Sequence, residues 1–318
     1  MQSMNMPPVL AIVVPCYNEE AVLTETNLRL TNLLKALSGQ SKISADSYIV
    51  YVNDGSKDAT WSMISNLQQK DAHVHGVKLA HNAGHQNALM AGIESFKDKA
   101  DAIVTIDADL QDDVNAISAM VDAYLEGVDV VYGVRKERTS DTVFKRTTAL
   151  AFYKVMSIMG ADTVYNHADY RLMSRRTVEA LCEYSERNLF LRGLVPLLGF
   201  TTKNVYYDRA ERFAGESKYP FKKMLAFAID GITSFSIKPI TIIFITGVMC
   251  FFIGVIILAW GLYSYFKGSV VPGWTSLIVS LWLIGGVVIT SLGVIGEYIG
   301  KIYIEVKRRP RYHIEEIV

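Results

Sequence analysis

Two stretches without a charge limit what this chain can fold into. From Pro239 to Phe266 and from Gly268 to Gly296 there is no Asp, Glu, Lys or Arg, which leaves Lys267 as the one charge between them. As helix, runs of this length reach about 42 Å against a hydrocarbon core of about 30 Å, so each can cross a bilayer with some tilt. The competing reading, a buried helical hairpin of a soluble protein, would have to bury both runs almost completely. Lys218, Lys222, Lys223 and Lys238 precede the pair, and Lys301, Lys307, Arg308, Arg309 and Arg311 follow it, whereas the linker Lys267–Trp274 holds a single lysine. By the positive-inside rule both termini are then cytoplasmic.

Charge is distributed unevenly over the remaining sequence. The chain has 318 residues, 32 Lys or Arg and 32 Asp or Glu, but residues 201–318 carry 13 basic against 8 acidic residues, so the excess of positive charge follows the apolar part. A basic collar around apolar helices suits an anionic membrane face, and the acidic first part argues against nucleic acid as a partner. Half the residues are hydrophobic and 20% are charged, which excludes a disordered chain. Cys16, Cys182 and Cys250 are far apart and lack metal-ligand spacing, so neither a disulfide framework nor a zinc site is expected. The opening MQSMNMPPVLAIVVP has no basic region and only a short apolar run, so it does not read as a signal peptide.

Upstream of the apolar pair, five apolar runs (9–14, 48–52, 76–80, 102–106 and 128–133) alternate with helix-like segments at 20–37, 57–70, 85–97 and 114–126. Runs that are apolar throughout, instead of at every second residue, predict parallel strands covered on both faces, hence a doubly wound α/β sheet. The boundaries expected are a soluble α/β domain over 1–230, a two-helix membrane hairpin over 231–300 and a basic tail over 301–318. An amphipathic segment from about 219 could lie on the membrane or pack on the domain.

In an open parallel sheet the ligand crevice lies at the carboxyl ends of the strands. Those ends read PCYNEE (15–20), NDGS (53–56) and DADLQDD (107–113), and neither GxGxxG nor GxxxxGK[ST] occurs, which argues against dehydrogenases and P-loop NTPases. Asp107 and Asp109, one residue apart at a strand end, project to the same side and offer two hard oxygen ligands for Mg²⁺ or Mn²⁺. The alternative is that these acids only cap the following helix, a role that suits Asp112 or Asp113. Asp54 is good turn chemistry, or an acceptor for a nucleoside together with Glu19, with Tyr17 stacking on the base. His85 and His167 read as structural or peripheral. The segments GVRKER (133–138) and RFAGESKYP (212–220) add Arg135, Arg138, Arg212 and Lys218 close to turn-like positions, with Ser217 as a hydroxyl donor.

VPCYNEE, VNDGSKDAT and IDADLQDD, in this order and spacing, resemble the inverting glycosyltransferases of family 2, which have the fold called GT-A. With GVRKER, NHADYRLMSR (166–175), RFAGESKYP and two C-terminal spans, nearly the whole chain resembles the polyprenyl-phosphate glycosyltransferases. Among these it is most like the bactoprenol glucosyltransferases, and more distantly like dolichyl-phosphate mannose synthase. The resemblance implies a Rossmann-like GT-A sheet in which Pro15, Tyr17, Glu19, Asp54, Asp107 and Arg135 hold the nucleotide sugar. It likewise implies that Asp107, Asp109 and Gln111 organise the metal and that Asp169 and Arg171 lie at the reacting centre. Arg212, Ser217 and Lys218 are then expected at the acceptor phosphate. His81 stands where many relatives have arginine. The activity implied is transfer of a hexose, glucose by preference, from a UDP-sugar to polyprenyl phosphate at the cytoplasmic face of the inner membrane. Rival readings are another donor (GDP-mannose, a UDP-N-acetylhexosamine, an aminoarabinose-type sugar), a diacylglycerol acceptor, or a non-catalytic nucleotide-sugar binding protein. Partners beyond donor, lipid and membrane would be a second copy of the chain, a flippase and a downstream glycosyltransferase.

Overall fold

The computed structural model describes residues 6–136, 167–187, 189–208, 236, 238–267 and 273–318. Four parallel strands alternate with helices in the order expected: β1 (Leu10–Cys16), α1 (Leu23–Gly39), β2 (Tyr48–Asn53), α2 (Thr60–Lys70), β3 (Val74–Leu79), α3 (His85–Phe96), β4 (Ala102–Thr105), α4 (Ala116–Leu125). There follow β5 (Val130–Arg135), β6 (His167–Ser174), α5 (Arg175–Glu183), α6 (Leu191–Leu197) and β7 (Thr202–Tyr207). The chain ends with two long helices, α7 (Lys238–Phe266) and α8 (Trp274–Lys307), and a final strand β8 (Ile314–Ile317).

Every residue of β1, β2 and β4 is buried, because alternate side chains face opposite sides of the sheet and helices cover both. Ile12, Val14, Tyr51 and Val104 pack in one cluster with Leu30, Leu34, Ile117 and Met120 of α1 and α4. On the other face α3 approaches β1 and β2 so closely that a Cβ at Gly92 would stand 2.5 Å from Val13 Cγ1 and 2.7 Å from Val52 Cγ2. A side chain there would push α3 off the sheet.

The sheet has eight strands in the order β7-β5-β6-β4-β1-β2-β3-β8. It is mixed, which the apolar runs did not foretell: β6 is antiparallel to β4 and β5, and β8 is antiparallel to β3. The reason is composition. β6, HADYRLMS, buries a charged pair instead of a hydrophobic run, and β8, IEEI, is a short edge strand with exposed residues. The expected basic tail from 301 is therefore not a tail: α8 continues to Lys307, and the last residues close the sheet edge, with Val318 and Gly76 exchanging backbone hydrogen bonds of 2.9 Å. Arg311 and Tyr312 both bond Glu94 on α3.

By contact, the chain divides into one unit of 1–150, 163–219 and 309–318 and another of 151–162 and 220–308. Within the second unit, and among the described residues, Ile284–Lys307 is long and apolar enough to cross a membrane. The expected boundary near 230 falls at 219 by this division. Arg212, Ser217, Lys218 and the amphipathic segment lie outside the described residues.

Candidate active site

The loops after β1 and β2 are braced to each other by their own motif residues. Asn18 donates its backbone N–H to Ser56 Oγ (3.0 Å) and accepts from Lys57 N–H (2.8 Å), Glu19 N–H donates to Thr60 Oγ1 (2.9 Å), and Glu20 accepts from Ala59 N–H (2.9 Å). Asn18 adopts the left-handed conformation, with φ 56°. The bracing leaves Tyr17 exposed at 44% and Glu19 half-buried. Pro15, in contrast, lies inside β1 opposite Val52 with its ring buried. Its side chain serves the strand, not the cleft surface.

Asp54 is also spoken for within the protein. It is buried, and its two carboxylate oxygens accept from Ala83 N–H (2.6 Å) and Gly84 N–H (3.1 Å). It therefore pulls the loop after β3 over the crevice. Gly55 makes this possible: its φ is +64°, and a Cβ there would meet Asn82 N at 2.5 Å. His81 is exposed at the tip of this loop.

That loop delivers His85, the first residue of α3, into the carboxylate cluster. Its Nε2 lies 3.5 Å from Asp107 Oδ1 and 3.7 Å from Asp169 Oδ2, so His85 is central, not peripheral as its sequence position suggested. The antiparallel register explains the meeting. Thr105 stands opposite Arg171, and carrying the pairing two residues further brings 107 opposite 169. Thr105 Oγ1 donates to the Asp169 carbonyl (2.6 Å) and fixes the strand crossing.

Asp169 is buried between two guanidinium groups. Arg171 Nη2 reaches Oδ1 at 2.6 Å, and Arg192, from the start of α6, reaches Oδ2 through Nε (3.2 Å) and Nη2 (3.0 Å). Burial pushes this carboxyl up, but Arg192 and Arg171, helped by His85, more than reverse the effect and hold it well below the usual carboxylate range. Asp107 shows the opposite balance. Enclosure raises it most, His85 opposes, and Asp112, Asp169 and Asp109 add to the rise, which carries it to about 6.

Asp109 Oδ1 accepts from Gln111 N–H at 3.1 Å, across Leu110, whose φ of 57° is costly for a branched side chain. The backbone behind the triplet is tied down by Thr26 Oγ1, which donates to the Ala108 carbonyl (2.9 Å). Asp112 does not cap α4. It is buried and takes Arg135 Nη2 (3.1 Å) and the Tyr207 hydroxyl (2.6 Å). Asp113 turns the chain into α4 by accepting from Asn115 N–H (3.0 Å).

Among the described residues no group of three His, Cys, Asp or Glu side chains is arranged as a closed metal site. Two hard carboxylates at a strand end, one of them raised by enclosure and then by like charges, nonetheless fit a divalent cation that completes its shell with phosphate oxygens. The site thus runs along the sheet edge from Asp54 through Asp107 and Asp109 to Asp169. Arg192 was not anticipated; it lies more than 20 residues from its partner, and nothing in a run such as FLRGLV singles it out.

The family model for glycosyl transferase family 2 matches residues 11–182. A glycosyltransferase of Bacillus subtilis strain 168, YkoT, is 50% identical over 308 residues, covering 97% of this chain and 91% of its own. A prophage bactoprenol glucosyl transferase homolog of Escherichia coli K12 is 38% identical and covers 97% of this chain and 99% of its own. The bactoprenol glucosyl transferase of Shigella phage SfV is 38% identical, with 96% and 98% covered.

Proposed function

The chain belongs to glycosyl transferase family 2 and is a glycosyltransferase, and from that premise we propose that it transfers a hexose from a UDP-sugar, by preference UDP-glucose, to polyprenyl phosphate. The observation that carries this reading is the row of groups at the sheet edge. Asp107 and Asp109 face a place suited to a metal-bound diphosphate, and next to them a carboxylate is overmatched by two arginines, suited to a second anion. The relatives with bactoprenol in their names, matched over nearly their full length, support the lipid acceptor.

Asp107 and Asp109, with Gln111, would hold Mg²⁺ or Mn²⁺, which when bound neutralises charge on the departing nucleotide diphosphate. Tyr17 and Glu19 stand at the nucleoside end, and Asp54 shapes that end through the loop it holds. No strong base is required of the protein. The second pKa of a phosphate monoester is about 6, so the acceptor is mostly ionised at neutral pH. Asp169, kept ionised by its arginines, is a poor proton acceptor and acts by holding Arg171 and Arg192 in place. Attack by a phosphate oxygen opposite the leaving group inverts the anomeric carbon in one displacement, with no sugar bound covalently to the protein. Arg135 would border the sugar, and Arg212, Ser217 and Lys218, which lie outside the described residues, are assigned to the acceptor phosphate on the resemblance alone.

Pairing of β8 with β3 supports a two-span hairpin. A chain whose last strand pairs within the sheet it began fits an even number of crossings, and with α8 as one span α7 would be the second. The catalytic unit and both termini then face the cytoplasm, where nucleotide sugars are made. A flippase and a downstream glycosyltransferase would be needed to use the product outside.

The test is incubation of purified protein with labelled UDP- and GDP-sugars, undecaprenyl phosphate and Mg²⁺ or Mn²⁺, followed by mass analysis of the lipid product. A polyprenyl phosphate hexose made from UDP-glucose is expected. Product from GDP-mannose or a UDP-N-acetylhexosamine alone replaces the donor, and glucose on diacylglycerol alone replaces the acceptor.

A further inference from the structure

We propose that residues 309–318 act as a strap that sets α3 for catalysis, with Glu94, Arg311 and Tyr312 as its positioning residues. This rests on the glycosyltransferase reading of the site and not on the choice of donor or lipid. The first residue of α3, His85, places Nε2 at 3.5 Å from Asp107 Oδ1 and 3.7 Å from Asp169 Oδ2. The second, Gln86, accepts the Leu191 N–H at 2.8 Å. The ends of β4, β6 and α6 therefore meet at the first turn of one helix, where an error of about 1 Å can cost about 100-fold in rate.

Little in α3 itself fixes that turn. Its N-cap is Gly84, which has no side chain to cap with, and the loop before it hangs on Asp54 through the N–H groups of Ala83 and Gly84. Between its ends the helix is held by apolar burial, closest where Gly92 rests on Val13 and Val52. Apolar burial is non-directional. Among the described residues, the side-chain hydrogen bonds that tie α3 to other elements come at its two ends, Gln86 in the first turn and Glu94 in the last.

Glu94 is gripped by the strap. Its Oε1 accepts from Arg311 Nη2 and its Oε2 from the Tyr312 hydroxyl, so both oxygens are engaged by consecutive residues. Those residues lead into a strand with its own register: β8 pairs antiparallel with β3, and the His313 carbonyl accepts the Ala80 N–H at 2.9 Å. Ala80 is the root of the loop that leads to His85, so the strap holds that loop at its start and α3 at its far end. The Arg311 side chain is 10% exposed, and its Nη1 is buried with no hydrogen-bond partner among the described residues. A buried ion pair with a donor unmet adds little net stability. Covering a sheet edge does not call for such a residue, whereas fixing Glu94 does. From Glu94 back to His85 is nine residues of helix, about 13.5 Å, through which a shift at one end reaches the other.

Glu94→Gln, Arg311→Ala and Arg311→Lys in the full chain test this. Transfer is measured at varied donor and lipid, with UDP-glucose and undecaprenyl phosphate or whichever pair the parent selects from the panel above. UDP affinity is measured by calorimetry, amide hydrogen exchange over 80–87 by mass spectrometry, and the folded fraction by thermal melting. Glu94→Gln and Arg311→Ala should lower kcat per folded molecule roughly 10-fold or more and speed exchange over 80–87. UDP affinity should stay within about twofold, because the loops at the nucleoside end brace each other. Arg311→Lys, which keeps the charge but not the fork, should recover part of kcat. A lower melting temperature with kcat and exchange as in the parent makes the strap an edge cover only and overturns the proposal. A fall in UDP affinity as large as the fall in kcat means general damage to the cleft and also overturns it. If the parent rejects undecaprenyl phosphate for another lipid, the acceptor reading falls and the strap stands or falls on kcat with that lipid and on the exchange rates. If the parent uses undecaprenyl phosphate and the variants behave like it, only the strap falls.

Discussion

The two ends of the central sheet treat their aspartates in different ways. At the end where β1, β2 and β4 leave the sheet, half-buried Asp107 is carried up to about 6 by enclosure first and by neighbouring carboxylates second, while Asp169 is trapped between Arg171 and Arg192. At the opposite end Asp129, just ahead of β5, accepts from Ser174 Oγ (3.0 Å) and Thr201 Oγ1 (2.7 Å) and pairs with Arg176, and its carboxyl is drawn down to about 2. Asp129 is satisfied by neutral donors and by an arginine that is 63% exposed and stays hydrated. The site end concentrates unbalanced charge of both signs within a few ångströms. Such an arrangement stabilises the fold little and is suited to ligands that bring the missing charges.

The largest effect should follow from Asp107→Asn. If the acidic pair organises the metal, transfer should fall by roughly 100-fold or more, as when one preorganised electrostatic partner is removed. Thermal stability near pH 7, measured in chelator, should not fall, because the substitution removes a carboxylate that its neighbours repel. A variant that keeps full transfer, or that unfolds well below the parent, would remove the distinction between the two ends.

Asp169→Asn should act mainly on stability. Arg171 is almost completely buried, and without Asp169 its charge has no counterion, a situation that costs about 3–5 kcal/mol. For a domain of this size the melting temperature should drop by roughly 10 °C. Because Arg192 is partly exposed, it should contribute little to that loss, which Arg192→Gln checks independently.

How much of this was legible in the sequence differs between the same regions. The parallel strands announced themselves because burial on both faces demands unbroken apolar runs, and the acids at their ends stood out against them. Asp107 and Asp109 lie where that reasoning put them. β6 was not visible, since a buried Asp169–Arg171 pair breaks the hydrophobic pattern and is tolerated only because the two charges meet in space. β8 was hidden by its length and its two glutamates, which suit an exposed edge. Asp54, which the sequence read as either turn chemistry or a nucleoside acceptor, accepts from Ala83 and Gly84 and so shapes a loop that no local pattern announced. His85, Gln86 and Arg192 converge through topology alone, from the start of α3 and the start of α6, and no spacing along the chain records that.

The smallest effect belongs to Asp129→Asn, and it tests the quieter end of the sheet. The Arg176 hydrogen bond lowers this carboxyl most, burial works against it, and Thr201 and Ser174 assist. A carboxyl held below its unfolded value, near 3.9, stabilises the fold at pH values above that and loses this contribution as pH falls toward about 2. Asn keeps one acceptor oxygen but neither the charge nor the second oxygen, so the loss near pH 7 should be about 1–2 kcal/mol, carried by the two hydroxyl contacts. Arg176 adds little, since its exposed guanidinium returns to water when released. Thermal melting of parent and variant from pH 7 down to pH 3 should show the gap narrowing as Asp129 takes up a proton in the unfolded parent while the folded one still holds it ionised, with transfer at neutral pH unchanged. A gap as large as that of Asp169→Asn, or one that widens in acid, would mean that the Asp129 cluster is as finely balanced as the active site, and the contrast between the two ends would fail.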